Sequence, residues 1–182
     1  MSLLRQIPNV ISVFRILLVI PIIVLMLREE YAQALILFAV AGVSDGLDGF
    51  LAKRFQWQTW IGGVLDPLAD KVLLVSTFLA LGWLGRLPWW LVGLVFLRDL
   101  VIVAGALIYH YRIGKVNAEP TIISKVNTFM QILLVLVAML AQIFALPAPL
   151  VTILIYLVAV TTVISGLDYV IKWGRRASVV HK

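Results

Sequence analysis

The chain contains no cysteine and few charged residues. Of its 182 residues only 13% are charged and two are His, whereas 63% are hydrophobic, and the mean hydropathy is +1.07. The absence of cysteine excludes disulfides and thiolate metal sites. No stretch is polar enough to form a separate soluble domain, so we expect a single domain over residues 1–182. A composition this apolar is typical of a polytopic membrane protein.

Six apolar segments are each long enough to cross a hydrocarbon layer about 30 Å thick at about 1.5 Å per helical residue. Their positions are 9–27, 32–53, 61–84, 88–111, 122–145 and 148–171. The connections between them are short, so consecutive helices should pack as antiparallel neighbours. The sequence therefore predicts an all-α integral membrane protein built as a six-transmembrane-helix bundle.

Basic residues are distributed unequally between the two ends of the predicted bundle. Both termini and the 2–3 and 4–5 connections hold most of the 15 Lys and Arg, whereas Arg28 and Arg86 lie at the opposite end. The positive-inside rule then places both termini in the cytoplasm, and we expect a bacterial inner-membrane protein. The net charge of +6 favours anionic lipids and phosphates as partners rather than nucleic acid.

Four aspartates interrupt the apolar pattern within one short stretch. Asp45 and Asp48 are three residues apart, and Asp66 and Asp70 are four apart, so each pair shares one helix face. Unpaired carboxylates at bilayer depth cost roughly 2.5–3.5 kcal/mol each, so a cation is needed to offset them. Carboxylate oxygens suit Mg²⁺, Mn²⁺ or Ca²⁺, and four are enough for a two-metal cluster that acts on phosphoryl groups. This pattern predicts an intramembrane metal site near the cytoplasmic face.

Two other interpretations of the aspartates are open at this point. They could form ion pairs with Lys53, Arg54 or Lys71, or cap helix ends. They could also couple cations or protons to transport, which would call for internal repeats and a polar path through both leaflets. The chain has no internal repeat, and the outer halves of its segments are almost wholly apolar. The sequence therefore favours the metal site over a cation-coupled transporter.

The spacing of these residues resembles the signature of a known family. The chain has the run Asp45-x2-Asp48-Gly49-x2-Ala52-Lys53-x8-Gly62-x3-Asp66-x3-Asp70, which is similar to the motif of the CDP-alcohol phosphotransferases, integral membrane enzymes of phospholipid synthesis. The run covers 26 residues and departs from the motif only at Lys53, where the family usually has arginine. Lysine keeps the charge but not the bidentate phosphate contact, which the adjacent Arg54 could share.

The resemblance implies a role for each residue of the motif. It implies that Asp45, Asp48 and Asp66 ligate two divalent ions, Mg²⁺ or Mn²⁺, and that Asp70 completes the metal site and is the general base on the acceptor hydroxyl. It also implies a homodimer. The CDP-binding residues that it implies are Asn9, Arg15, Asp45, Gly49, Ala52, Lys53 and Gly62.

The start of the first segment belongs to the same implied site. Asn9, Ser12 and Arg15 are three residues apart and share a helix face, in a run similar to the opening of phosphatidylglycerophosphate synthases. In those enzymes the asparagine and the arginine approach the bound nucleotide. Arg15 could instead extend to the lipid headgroups.

Two later segments bear on the acceptor. The pair Arg98-Asp99 and the run from Glu119 to Gln131 are most similar to cardiolipin synthases of the eukaryotic type, and next to phosphatidylglycerophosphate synthases. The first similarity implies that phosphatidyl passes from CDP-diacylglycerol to phosphatidylglycerol, giving cardiolipin and CMP. The second implies glycerol 3-phosphate as the acceptor. The candidate contacts to the acceptor or lipid phosphate are Arg98, Asp99, Arg112, Lys125 and Asn127.

Each of these acceptor candidates has an alternative explanation. Arg98 and Asp99 could form a purely structural ion pair within the membrane. Arg112 and Lys115 could serve only the orientation of the chain in the membrane.

Overall fold

The structure, a computed structural model, describes the backbone of residues 7–54, 60–112 and 121–180 and the side chains of 10–46, 65–105, 121–147 and 149–172. These described residues form six α-helices, which confirm the six predicted segments. Each predicted boundary lies within two residues of the observed one, except that the last helix continues past 171. The helices are α1 Ile7–Leu27, α2 Tyr31–Arg54, α3 Trp60–Trp83, α4 Trp89–Arg112, α5 Ile122–Ile143 and α6 Ala148–Val180.

Three of the helices are long and apolar enough to cross a membrane. Within the described residues these candidate spans are Val10–Leu27, Ile122–Ile143 and Pro149–Lys172, and Tyr31–Gly46 is a shorter apolar stretch. Charged side chains reduce the hydropathy of α2, α3 and α4. The helical fold and the three apolar helices agree with a membrane protein, whereas six spans stay a prediction.

The first compact unit comprises Met1–Arg86 together with Ala138–Ala145. In it α1 packs against both α2 and α3, and Ile22, Met26 and Leu81 are completely buried. Close packing of such apolar side chains is what holds neighbouring helices together in a bilayer as well as in water.

Helices α1 and α3 end with the same backbone motif. Glu30 N donates to Leu25 O after α1, and Arg86 N donates to Leu81 O after α3, which satisfies carbonyls that the helix leaves free. The residue before each donor has a positive φ, 61° at Glu29 and 68° at Gly85.

The end of α3 meets the connection between α1 and α2. The Arg86 guanidinium lies 4.0 Å from a Glu29 carboxylate oxygen and 6.0 Å from the centre of the Tyr31 ring. Helix α3 therefore runs antiparallel to α2, as predicted, whereas the packing contacts found in this unit are those of α1 with α2 and with α3.

The second compact unit comprises Leu87–Val137 and Leu146–Lys182. In it α4 packs against α6, and the rings of Trp90 and Tyr156 lie 6.2 Å apart between their centres. Hydrogen bonds between buried polar side chains join α5 to both of these helices. The single domain expected over residues 1–182 stays a prediction.

Candidate active site

Arg15 joins two of the predicted aspartates in the first unit. Its side chain is 0% exposed, and its Nη1 donates to Asp45 Oδ1 at 2.6 Å and to Asp70 Oδ1. The three residues come from α1, α2 and α3, so the packing of α1 against its two neighbours creates the contact. Arg15 therefore does not extend to the lipid headgroups, and it is a cation that faces these carboxylates.

Ser12 holds a third predicted aspartate in the same unit. It lies one helical turn before Arg15 on α1, is completely buried, and donates its hydroxyl proton to Asp66 Oδ1. One face of α1 thus contacts carboxylates on both α2 and α3. The structure brings Asp45, Asp66 and Asp70 to this face, which is the convergence that the spacing suggested.

Some predicted site residues have side chains outside the described part of the chain, so their contacts stay predictions. They are Asn9, Asp48, Gly49, Ala52, Lys53, Gly62 and Arg112.

A second polar cluster lies in the other unit and is centred on Arg98. Only 6% of Arg98 is exposed. Its Nη1 donates to Asp99 Oδ1 at 2.8 Å, and its Nη2 donates to Ser124 Oγ at 2.7 Å and Ser165 Oγ at 2.6 Å. Its guanidinium also lies 5.9 Å from the centre of the Tyr169 ring, within cation–π range. One guanidinium thus connects α4, α5 and α6.

This geometry predicts a stabilising role for Arg98. Arg98→Met leaves the Asp99 carboxylate, whose side chain is 13% exposed, without this guanidinium. Removing one partner of a buried ion pair costs about 3–5 kcal/mol. We expect the apparent Tm of the purified protein to fall by on the order of 10 °C.

A double variant serves as the control for this prediction. Arg98→Met with Asp99→Leu removes both charges, so it should recover much of the lost Tm. A single Arg98→Met variant with the Tm of the wild type would contradict this stabilising role.

Asn127 lies one turn after Ser124 on the same buried face of α5. Its Oδ1 accepts hydrogen bonds from Thr161 Oγ1 at 3.0 Å and Thr162 Oγ1 at 2.9 Å, both on α6. The amide nitrogens of Asn127 and of Gln131, one turn further on, are buried and have no hydrogen-bond partner among the described residues. Asn127 therefore uses its acceptor to join α5 to α6.

A surface groove of about 320 Å³ runs along α5 in the second unit. Its polar end is formed by Ser124, Lys125 and Thr128, and its apolar end by Phe129 and Ile132. Ser124 Oγ accepts from Arg98, so this hydroxyl connects the groove residues on α5 to the cluster on α4. The groove thus combines an ammonium and hydroxyls with an adjoining apolar surface.

Several residues that these clusters use were not among the predicted site residues. On α6 they are Thr162, Ser165 and Tyr169, which are all buried and follow the spacing of one helix face. The regular spacing of these polar residues along a mainly apolar stretch could have indicated a polar helix face. Ser12 was already placed on the face of Arg15 by its spacing, but its hydrogen bond to Asp66 was not predicted.

Most of the chain matches a known protein family. Residues 5–164 match the family described as CDP-alcohol phosphatidyltransferase. The chain belongs to this family. The four-aspartate motif that suggested it contains the three carboxylates found beside Arg15 and Ser12.

Several relatives in the CDP-alcohol phosphatidyltransferase family are similar over long stretches. A cardiolipin synthase (CMP-forming) of Rattus norvegicus is 35% identical over 154 residues, 76% of this chain and 51% of the rat protein. A chloroplastic CDP-diacylglycerol–glycerol-3-phosphate 3-phosphatidyltransferase of Oryza sativa is 36% identical over 187 aligned positions, 92% of this chain and 57% of the rice protein. A probable phosphatidylglycerophosphate synthase of Mycobacterium tuberculosis is 31% identical over 179 residues, 92% of this chain and 81% of that protein. The chain thus spans little more than half the length of the rat and rice relatives.

Divalent metals are generally used by CDP-alcohol phosphatidyltransferases. Among the described side chains, no three acidic or histidine residues form a group that could hold a metal ion. The side chain of Asp48 lies outside the described residues, so it is not part of this result. Two observations nevertheless fit a divalent ion. The donors are carboxylate oxygens, which hard cations prefer, and a positively charged nitrogen of Arg15 already lies between Asp45 and Asp70.

Proposed function

We propose that the protein transfers a phosphatidyl group from CDP-diacylglycerol to a hydroxyl group of a glycerol-containing acceptor and releases CMP. The observation that carries this proposal is the meeting of Asp45 and Asp70 at Arg15, with Asp66 held nearby by Ser12. Carboxylates gathered from two helices suit metal-assisted chemistry on a diphosphate. Membership of the family supports the same reaction.

In this proposal two divalent ions, Mg²⁺ or Mn²⁺, are held by Asp45, Asp48 and Asp66, and Asp70 completes the site. Bound metal supplies charge neutralisation for the diphosphate and for the CMP leaving group. The nucleotide is contacted by Asn9, Arg15, Asp45, Gly49, Ala52, Lys53 and Gly62.

The carboxylate of Asp70 is proposed as the general base. It takes the proton of the acceptor hydroxyl, and the oxygen that is left bonds to the phosphorus of the phosphatidyl group. The bond from that phosphorus to the oxygen of the CMP phosphate breaks, and CMP leaves with this oxygen. Asp70 then holds the proton until solvent or product removes it.

Phosphatidylglycerol is the proposed acceptor, which makes the products cardiolipin and CMP. The groove on α5 supports a lipid, because its polar end at Lys125 suits a phosphodiester and its apolar end suits an acyl chain. The rat relative is named for the same product. Arg112 and Asn127 are further candidate contacts to the acceptor. Arg98, which is paired with Asp99, holds Ser124 in place through a hydrogen bond.

Glycerol 3-phosphate is the alternative acceptor. The rice and mycobacterial relatives, which are named for that reaction or its product, align with 92% of the chain. A small dianion needs more positive charge than a phosphodiester, so it would have to use Arg98 or Arg112 in addition to Lys125.

The protein is proposed to act in the bacterial inner membrane as a homodimer. All six helices span the bilayer in this proposal, and both termini and the aspartates lie on the cytoplasmic side. The distribution of Lys and Arg supports this orientation.

An acceptor assay tests the proposed function. We expect the purified full chain to release CMP from CDP-diacylglycerol when phosphatidylglycerol is added, and far less with glycerol 3-phosphate. Lys125→Gln should raise the KM for phosphatidylglycerol about tenfold and change kcat little, as loss of one charged contact predicts. The product lipid is identified by mass spectrometry.

Lys172→Gln is the matched control, because Lys172 already pairs with Asp168 on α6 at 2.9 Å. It should leave the KM unchanged. Faster CMP release with glycerol 3-phosphate would establish the alternative acceptor. No CMP release with either acceptor would contradict the transferase and reopen the cation-coupled transporter.

A further inference from the structure

Arg15 occupies the place between two carboxylates that a bound cation would take. Its Nη1 is 2.6 Å from Asp45 Oδ1 and also donates to Asp70 Oδ1. The guanidinium is enclosed, with a side-chain exposure of 0%, whereas each aspartate side chain is 43% exposed. The protein thus provides its own positive charge on the buried side of these carboxylates, and their open side faces outward.

A divalent ion and this guanidinium compete for the same oxygens. Mg²⁺ binds carboxylate oxygens at about 2.0–2.1 Å and demands near-octahedral geometry. A guanidinium that hydrogen-bonds to those oxygens takes up their lone pairs and repels the incoming ion in surroundings partly shielded from water. Each cation therefore weakens the binding of the other at Asp45 and Asp70.

We propose that Arg15 is a counter-cation that holds Asp45 and Asp70 together before a divalent ion binds and turns to the substrate diphosphate afterwards. This rests on the metal site of the proposed function. A buried charge without a counter-charge is strongly unfavourable, so Arg15 can leave the aspartates only if another anion replaces them. A diphosphate is such an anion, and guanidinium groups bind phosphate oxygens in bidentate geometry.

The exchange of partners couples two binding events. If the nucleotide draws Arg15 away from the aspartates, it removes the competitor of the divalent ion. By linkage the ion must strengthen nucleotide binding by the same factor. A variant without the guanidinium should bind the ion tightly even in the absence of nucleotide, and added nucleotide should then strengthen ion binding less.

Binding of Mn²⁺ to the purified full chain tests the proposal. Free Mn²⁺ is measured by electron paramagnetic resonance, and CDP is used as a soluble nucleotide. Without CDP, we expect Arg15→Met to bind Mn²⁺ about tenfold more tightly than the wild type, within the usual range of such coupling. The tightening caused by CDP should be smaller in the variant. Arg15→Lys retains a charge and should fall between the two, and it provides the measurement if Arg15→Met does not fold.

Arg28→Met is the matched control for net charge. Arg28 is exposed just beyond the opposite end of α1, so its loss removes one positive charge far from the carboxylates. It should leave Mn²⁺ binding unchanged, and equal tightening in this variant would overturn the proposal.

Unchanged or weaker Mn²⁺ binding in the Arg15 variants also overturns it. A wild-type chain that binds no Mn²⁺ even with CDP overturns the metal site and the proposal together. If Mn²⁺ binding changes as expected in a chain that releases no CMP, the exchange of partners by Arg15 is supported. Only the proposed reaction is then overturned.

Discussion

An Asp70→Asn variant is expected to release CMP from CDP-diacylglycerol about 10²–10⁴-fold more slowly than the wild-type chain. Asparagine has nearly the same shape, and its Oδ1 can still accept the hydrogen bond that Arg15 donates to Asp70. It has no basic carboxylate, so the acceptor hydroxyl loses the group that takes its proton. The defect should therefore appear in kcat, measured as CMP released at saturating concentrations of both lipids.

Asp168→Asn is the matched control, because it makes the same substitution on α6. Asp168 Oδ2 accepts from Lys172 Nζ at 2.9 Å, an i,i+4 pair worth about 0.3–0.5 kcal/mol. This variant should release CMP at the wild-type rate. Asp70→Asn should still bind Mn²⁺ through the three other aspartates of the motif. Turnover near the wild-type rate in Asp70→Asn would remove Asp70 from the role of base.

Removal of divalent ions is expected to abolish CMP release completely. The diphosphate and the leaving CMP both carry negative charge, and in the proposed site the metal ions would supply the main neutralisation that bond breaking needs. Treatment with excess EDTA should stop the reaction, and added Mg²⁺ or Mn²⁺ should restore it. CMP release before and after the addition is the measurement.

EDTA already saturated with Mg²⁺ is the control, since it contains the chelator without the ability to extract metal. It should leave the rate unchanged. Full turnover in excess free EDTA would rule out the metal-dependent reaction, whereas inhibition by the saturated chelator would show an effect on the detergent or lipid.

The six helices could be predicted because hydrophobic runs and short polar connections are local features of the sequence. The end of α6 could not. Hydropathy decreases near 171, but the helix continues to Val180, because a helix needs only backbone hydrogen bonds and not apolar side chains. Hydropathy predicts where the apolar part of a segment ends. The helix itself can end at a later residue, as α6 does.

The candidate site was predictable only in part. The spacing within α2 and α3 shows that each pair of aspartates shares a face, and the short connection between these helices predicts that both pairs lie at the same end. The position of Arg15 between Asp45 and Asp70 depends on which face of α1 packs against both helices, and tertiary packing decides that. The hydroxyl partners of Arg98 lie 26 and 67 residues away in sequence, so no local pattern links them.

The two buried arginines differ in how far along the chain their counter-charges lie, and this has a consequence for biosynthesis. Arg98 is followed directly by Asp99, so its compensating anion leaves the ribosome with it. Arg15 is 30 residues ahead of Asp45 and 55 ahead of Asp70. The first helix is therefore synthesised before either of these carboxylates, and Arg15 can be buried against Asp45 only after the second helix has been made. Helices α1 and α2 should accordingly insert into the membrane as a pair, whereas α4 can insert alone.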